Sequence, residues 1–153
     1  MVSNINLKRL LIVILTVLAV SLSAFFSQIS FGAGQVSDVQ LLARAINGEA
    51  RGEPYEGQVA VGAVILNRVK SPSFPNTIAG VIYQPGAFTA VSDGQINVPI
   101  DPKSTVVKAA QDALNGWDPT YGCIYYWNPE TATSKWIWSR KVVVKIGKHN
   151  FAK

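Results

Sequence analysis

Asp38 to Lys70 reads DVQLLARAINGEARGEPYEGQVAVGAVILNRVK, and this stretch decides the fold. Ser37 precedes it and Gln40 follows three residues later, an S-x-x-Q pair whose side chains can satisfy the free amides at a helix start. Leu41, Leu42, Ala45, Ile46 and Glu49 then recur at three- and four-residue spacing, which lays them along one side of a helix over about residues 38–50. Gly52 and Pro54 end that helix. Val59, Ala63, Leu66 and Lys70 fall on one line, with Gly62, Ile65 and Val69 on the next, so a second helix is predicted from about Tyr55 to Lys70. Gly57 and Gly62 each weaken it by about 1 kcal/mol relative to Ala. Close approach of another helix or of a substrate is the expected compensation.

Downstream, Ser71-Pro72 and Phe74-Pro75 break the chain, Thr77 to Tyr83 reads as a short helix, and Gln84-Pro85-Gly86 reads as a turn. Phe88 to Val98, FTAVSDGQINV, alternates around Asp93-Gly94 and predicts a hairpin. Asp101-Pro102 predicts the start of a third long helix, with Pro at its first position. Val106, Val107, Ala110, Ala113 and Leu114 would form its apolar face, and Gly116 would stop it. Cys123 to Trp127 reads as extended, Asn128 to Ser134 as a polar loop, and Trp136–Trp138 and Val142–Ile146 as short strands. The sum is one helix-rich α+β domain over residues 37–153.

Upstream, a basic start at Lys8-Arg9 is followed by the apolar run Leu10 to Val20 and then by small and polar residues up to Gly34. That layout marks residues 1–33 as a signal peptide or a membrane anchor. Either way, the remainder is expected outside the cytoplasmic membrane, exported to the cell wall or spore envelope. The expected organisation is this leader plus one domain.

Composition narrows the chemistry. The net charge of +5 is spread along the chain apart from the Arg140 to Lys148 segment, so no nucleic-acid footprint is present. A single cysteine excludes an intramolecular disulfide framework, and one Cys with one His cannot build a structural zinc site from N and S ligands alone. No metal or cofactor is expected. Cys123 reads as a small buried thiol, since nothing in the sequence brings His149 to it as a base.

The candidate for acid chemistry is Glu49. It lies three residues after Ile46 and seven after Leu42, on the apolar side of the first helix and at its C-terminal end. Desolvation and the helix dipole both favour the neutral, proton-bearing form there, which is the form that protonates a glycosidic oxygen. The structural alternative is an ion pair with Arg44 or Arg51. Glu53 and Glu56 fall in or beside the Gly/Pro turn, where solvation and capping of the second helix are expected. Asp93, Asp101 and Asp118 are available as a second acid, but turn or cap roles suit Asp93 and Asp101 and none of the three stands out. This favours one protein acid, with the substrate's own N-acetyl or 6-hydroxyl group in place of a protein nucleophile. Tyr125, Tyr126, Trp127, Trp136 and Trp138 flank the loop Asn128-Pro129-Glu130-Thr131-Ala132-Thr133-Ser134. Such a set can stack on sugar rings while the loop binds polar substituents, although some of these rings must be core.

Four runs carry a resemblance: LLARAINGEARGEPYEGQVAVGAVILNRV, FPNTIAGVIYQPGAFTAVSDGQIN, YYWNPETATSKWIW and IGKHNF. In this order they resemble the SleB/CwlJ-type cell wall hydrolases, the catalytic domains of spore-cortex-lytic enzymes, over about Asp38 to Phe151. The resemblance implies a lysozyme-like, lytic-transglycosylase-like fold with a cleft between helical and β parts. It implies action on the bond between N-acetylmuramic acid and N-acetylglucosamine in peptidoglycan glycan strands, with 1,6-anhydromuramoyl products in the SleB branch. The family's acid falls on Glu49. Asn67 and Arg68, and Phe88, Thr89, Asp93 and Gln95, are implied as cleft-lining or structural. Tyr125, Tyr126, Trp127, Asn128, Ser134 and Trp136 complete the expected substrate-binding set. SleB proteins typically carry a further N-terminal peptidoglycan-binding domain, which is not expected here. Two other classes stay open: a peptidoglycan amidase, for which one His is a poor ligand supply, and a non-catalytic wall-binding module.

Overall fold

The computed structural model describes residues 36–153. The leader expected at residues 1–33 lies outside the described residues. Among the described residues, no helix is long and apolar enough to cross a membrane.

Helix α1 spans Asp38–Ala50, and its N-cap Ser37 accepts the Gln40 amide as the sequence pattern predicts. The Gln40 side chain instead reaches the Ile100 carbonyl at 3.3 Å, so the capping pair is only half formed. Helix α2 spans Tyr55–Lys70. Helix α3, Ile78–Ile82, is capped by the Thr77 hydroxyl. Two short helical turns follow, α4 at Thr89–Ser92 and a 3-10 turn at Gln95–Asn97. Helix α5 spans Thr105–Leu114. The C-terminal part forms a three-stranded antiparallel sheet of β1 (Tyr125–Trp127), β2 (Val142–Ile146) and β3 (His149–Ala152) in the order β1-β3-β2.

Three expectations are corrected. The segment 88–98 is not a hairpin. A tight type I′ turn needs positive φ at both central residues. Gly94 has φ 81°, but Asp93 stays at −94°, and its carboxylate accepts the Gln95 amide at 3.0 Å, which coils the chain. The third helix does not start at Pro102. Asp101 closes its own turn on Lys103 and Ser104, and the Ser104 hydroxyl then caps α5 at Val107. Trp136–Trp138 is not a strand, because a 3-10 turn occupies Ile137–Ser139.

Helices α1, α2 and α5 enclose the main core, in which Leu42, Ile46, Val59, Ile65 and Ala110 are fully buried. Burial of each large aliphatic side chain contributes about 1.5–3 kcal/mol. Gly62 allows this packing: a Cβ there would meet Ile46 Cδ1 at 3.0 Å and Ala113 Cβ at 3.2 Å. The close approach is therefore between helices. A second core joins the opposite side of α2 to the sheet through Ala60, Val64, Cys123, Ile146 and Phe151. Cys123 is fully buried there, and burial pushes its thiol further from ionisation.

Candidate active site

Glu49 sits in the last turn of α1, where that helix meets both α4 and the sheet. Its Oε1 accepts the Thr89 amide at 3.0 Å, and its Oε2 accepts the Tyr126 phenol at 3.1 Å. Thr89 opens α4, so its N–H has no partner within that turn and is free to bind the carboxyl. Phe88, just before it, is buried and anchors the turn. Gly48 lets α4 lie directly on α1, since a Cβ at Gly48 would overlap the Ala90 Cβ.

Glu49 opens onto a cleft of about 300 Å³ between the helical layer and the sheet. The helical side contributes Glu49, Arg68 and Ala87. The other side contributes Tyr126, Trp127 and His149 from the sheet, with Asn128, Thr131 and Ala132 from the loop after β1. Among the described residues lining this cleft, Glu49 is the one carboxylate.

The remaining polar groups are held by their surroundings. Arg68 donates through Nε to the Ile124 carbonyl at 2.7 Å, and its guanidinium lies 5.3 Å from the Phe74 ring centre and 5.6 Å from that of Phe88. Burial lowers its pKa, against the attraction of Tyr126, Tyr125 and Glu49. Burial and the adjacent Glu49 carboxyl raise the Tyr126 phenol well above its ordinary value, so Tyr126 remains a hydrogen-bond donor. Its ring packs edge-on against His149 at 5.3 Å. His149 Nδ1 lies 3.9 Å from Glu53 Oε2. Burial lowers the imidazole pKa more than Glu53 and Glu49 raise it, so this contact is a neutral imidazole beside a carboxylate and not an ion pair at neutral pH. Among the described residues, no three His, Cys, Asp or Glu side chains converge as a metal-binding group.

Comparison with known proteins matches residues 52–152 to the cell wall hydrolase family model. The chain belongs to the cell wall hydrolase family. It is 64% identical over 117 residues to a spore cortex-lytic enzyme of Bacillus cereus, covering 76% of this chain and 44% of that one. It is 61% identical over 115 residues to the spore cortex-lytic enzyme of Bacillus subtilis, covering 75% of this chain and 37% of that one. The chain thus spans less than half the length of these curated relatives. Among solved structures, the catalytic domain of the germination-specific lytic transglycosylase SleB from Bacillus anthracis superposes with a TM-score of 0.74 at 60% identity, covering 80% of this chain and 98% of that one. The helix-rich, lysozyme-like α+β fold expected from the sequence is therefore the fold of this cell wall hydrolase.

Within this hydrolase domain the residues named from sequence separate into groups. Glu49, Tyr126, Trp127 and Asn128 line the cleft, and Thr89 joins them through the hydrogen bond its backbone N–H donates to Glu49. Asn67 turns away: its side-chain amide binds Asp118 at 2.9 Å and the Cys123 carbonyl at 3.1 Å. Asp93 and Gln95 bond to each other at 2.8 Å, and Gln95 also accepts from Arg51. Tyr125 and Trp136 meet edge-on at 5.1 Å with Arg140 over both rings, outside the cleft lining. Ser134 is exposed in the loop. Asp118, one of the candidate second acids, ties down the chain before β1. Burial pushes its carboxyl up, but bonds from the Thr120 and Asn67 side chains and the Thr120 and Gly122 amides outweigh this and hold its pKa below the ordinary value.

Glu53 is not the solvated capping residue that the turn suggested. Its side chain is 8% exposed and accepts the Lys148 amide at 2.8 Å. The cap of α2 is Pro54, with no side-chain bond. Sequence reasoning did not place His149 in the cleft. Its signal was weak: a lone His in the closing run IGKHNF, with no periodicity to fix its direction.

Proposed function

We propose that this domain, residues 37–153, cleaves the glycosidic bond between N-acetylmuramic acid and N-acetylglucosamine in peptidoglycan, as a lytic transglycosylase, with Glu49 as its acid. The observation that carries this reading is the position of Glu49. Both its oxygens are held, one by α4 and one by β1, and it faces a cleft in which no other carboxylate is present among the described lining residues. A hydrolase with two acting carboxyl groups needs both beside the scissile bond. With one, the attacking oxygen must come from elsewhere, and the muramoyl 6-hydroxyl supplies it from within the substrate. Glu49 gives its proton to the departing 4-oxygen and the C1–O bond breaks. O6 closes on C1 to give the 1,6-anhydro end, while its O–H bond breaks and that proton passes to a base in the cleft.

The lining suits a glycan. Tyr126 supplies ring surface, with the edge of the largely buried Trp127 beside it, while Asn128, Thr131 and the Arg68 guanidinium supply polar groups for acetamido and hydroxyl substituents. The likeness to a spore cortex-lytic enzyme and to a germination-specific lytic transglycosylase supports cortex peptidoglycan as the substrate. Such a substrate lies outside the cytoplasmic membrane. This agrees with reading residues 1–33 as an export signal or anchor.

The test is incubation of the purified protein with cortex peptidoglycan and mass spectrometry of the soluble fragments. Anhydro-muramoyl ends are expected. Reducing muramoyl ends alone would make the enzyme a simple hydrolase, and free stem peptides would make it an amidase.

A further inference from the structure

A carboxylate–imidazole pair, Glu53 and His149, is built into the wall of the cleft that holds Glu49. His149 is the single histidine of the sequence, is 9% exposed and lines the cleft. Its Nδ1 is buried without a hydrogen-bond partner among the described residues and lies 3.9 Å from Glu53 Oε2, beyond hydrogen-bond reach but close in charge terms. The carboxylate is fixed from outside. The β2–β3 turn closes on it through the Lys148 amide, and Gly147, at φ +57°, makes that possible because a Cβ there would overlap Glu53 Oε2. A desolvated carboxylate beside one ring nitrogen is the arrangement that orients an imidazole and stabilises it once it gains a proton on the other nitrogen.

We propose that His149, oriented by Glu53, accepts the proton of the substrate 6-hydroxyl as that oxygen closes on the anomeric carbon. The inference rests on Glu49 being the acid, as above. In the step, the Glu49 proton moves to the glycosidic oxygen, and the C1–O4 bond breaks with its electron pair on O4, which leaves as a hydroxyl. A lone pair of O6 forms the C1–O6 bond, the O6–H bond breaks, and that proton binds His149 Nε2. Glu49 is left ionised and His149 cationic. Transfer of the proton from His149 back to Glu49, through a cleft water, restores both. The charged and titratable groups facing the imidazole are Glu53 from the α1–α2 turn, Glu49 from α1, Tyr126 from β1 and, across the cleft, Arg68 from α2. His149 acts here as a catalytic residue and Glu53 as a positioning residue.

The experiment compares wild type, Glu49→Gln, His149→Gln and Glu53→Gln on purified glycan strands. It records kcat, KM and the anhydro-to-reducing product ratio across the pH range in which histidine titrates, about 5–8. The base must be neutral to act, so wild-type kcat falls as pH drops through the His149 pKa. His149→Gln is expected to lower kcat about 100-fold with KM little changed. It should also remove that acid limb and shift products towards reducing ends, as water takes the place of O6. Glu53→Gln removes the charge that raises the imidazole pKa, so the acid limb should move to lower pH. An acid limb and product ratio unchanged in His149→Gln, or, if that variant does not fold, an unshifted limb in Glu53→Gln, would overturn the proposal. Loss of activity in Glu49→Gln with His149→Gln unchanged sinks only this inference. Full activity in Glu49→Gln sinks the reading beneath it.

Discussion

The Tyr126 phenol reaches Oε2 of Glu49 at 3.1 Å across 77 residues of chain, joining the sheet to the helical layer at the cleft. The other carboxyl oxygen is fixed by the Thr89 amide, which can only donate. The two bonds thus fix where the carboxyl points.

Tyr126→Phe removes the phenol and keeps the ring that packs on His149 and Phe151. A hydrogen bond to a charged group contributes about 1.5–3 kcal/mol. kcat/KM is expected to fall about tenfold or more, while the melting temperature moves by only a few degrees. Steady-state kinetics beside a thermal melt checks both, and unchanged kinetics would remove Tyr126 from the account.

Gly48→Ala places a methyl group where the Ala90 Cβ already lies. Overpacking of this kind costs about 1–3 kcal/mol. The shift falls on α4, which carries the Thr89 amide, so activity should drop further than the urea-unfolding free energy accounts for. If activity tracks the folded fraction alone, α4 does not position Glu49.

Asp118 links folding to pH. Its pKa is lower in the folded chain than its ordinary value of 3.8. Its contribution is therefore present above that ordinary value and is lost as pH falls through the lower, folded one. Asp118→Asn should destabilise the protein at neutral pH by about 1–3 kcal/mol, because the bonds from Thr120, Asn67 and Gly122 lose their charged acceptor. The gap between the two proteins should narrow as pH drops below about 4. Unfolding curves at a series of acidic pH values test this, and a constant gap would contradict it.

Much of this was legible in the sequence, for local reasons. The periodic Leu, Ile and Ala of residues 38–70 leave one arrangement for α1 and α2, and Glu49 follows on the same side as Ile46. The features that were not legible depend on distant chain. Asp93-Gly94 has the look of a hairpin turn, but the Asp93 carboxylate coils the segment, and α1 receives it at Gly48. Gly52-Glu53-Pro54 looks like a solvated turn, but Lys148 covers it from 95 residues away. Strand β3 pairs with β1 at Tyr126 and Phe151, and nothing in HNFA itself signals that pairing or turns His149 into the cleft. The aromatic cluster divides by strand alternation, Tyr126 towards His149 and Phe151, Tyr125 and Trp127 towards Trp136 and Trp138.

The most direct test is the rate of fragment release from cortex peptidoglycan by Glu49→Gln against wild type, with both shown to be folded by their thermal melts. Gln keeps an acceptor for the Thr89 amide but has no proton to give. Release should fall by a factor of about 100 to 10,000 with the melt little changed. Release within about fivefold of wild type, a fall well short of the low end of that range, would contradict the assignment of Glu49 as the acid.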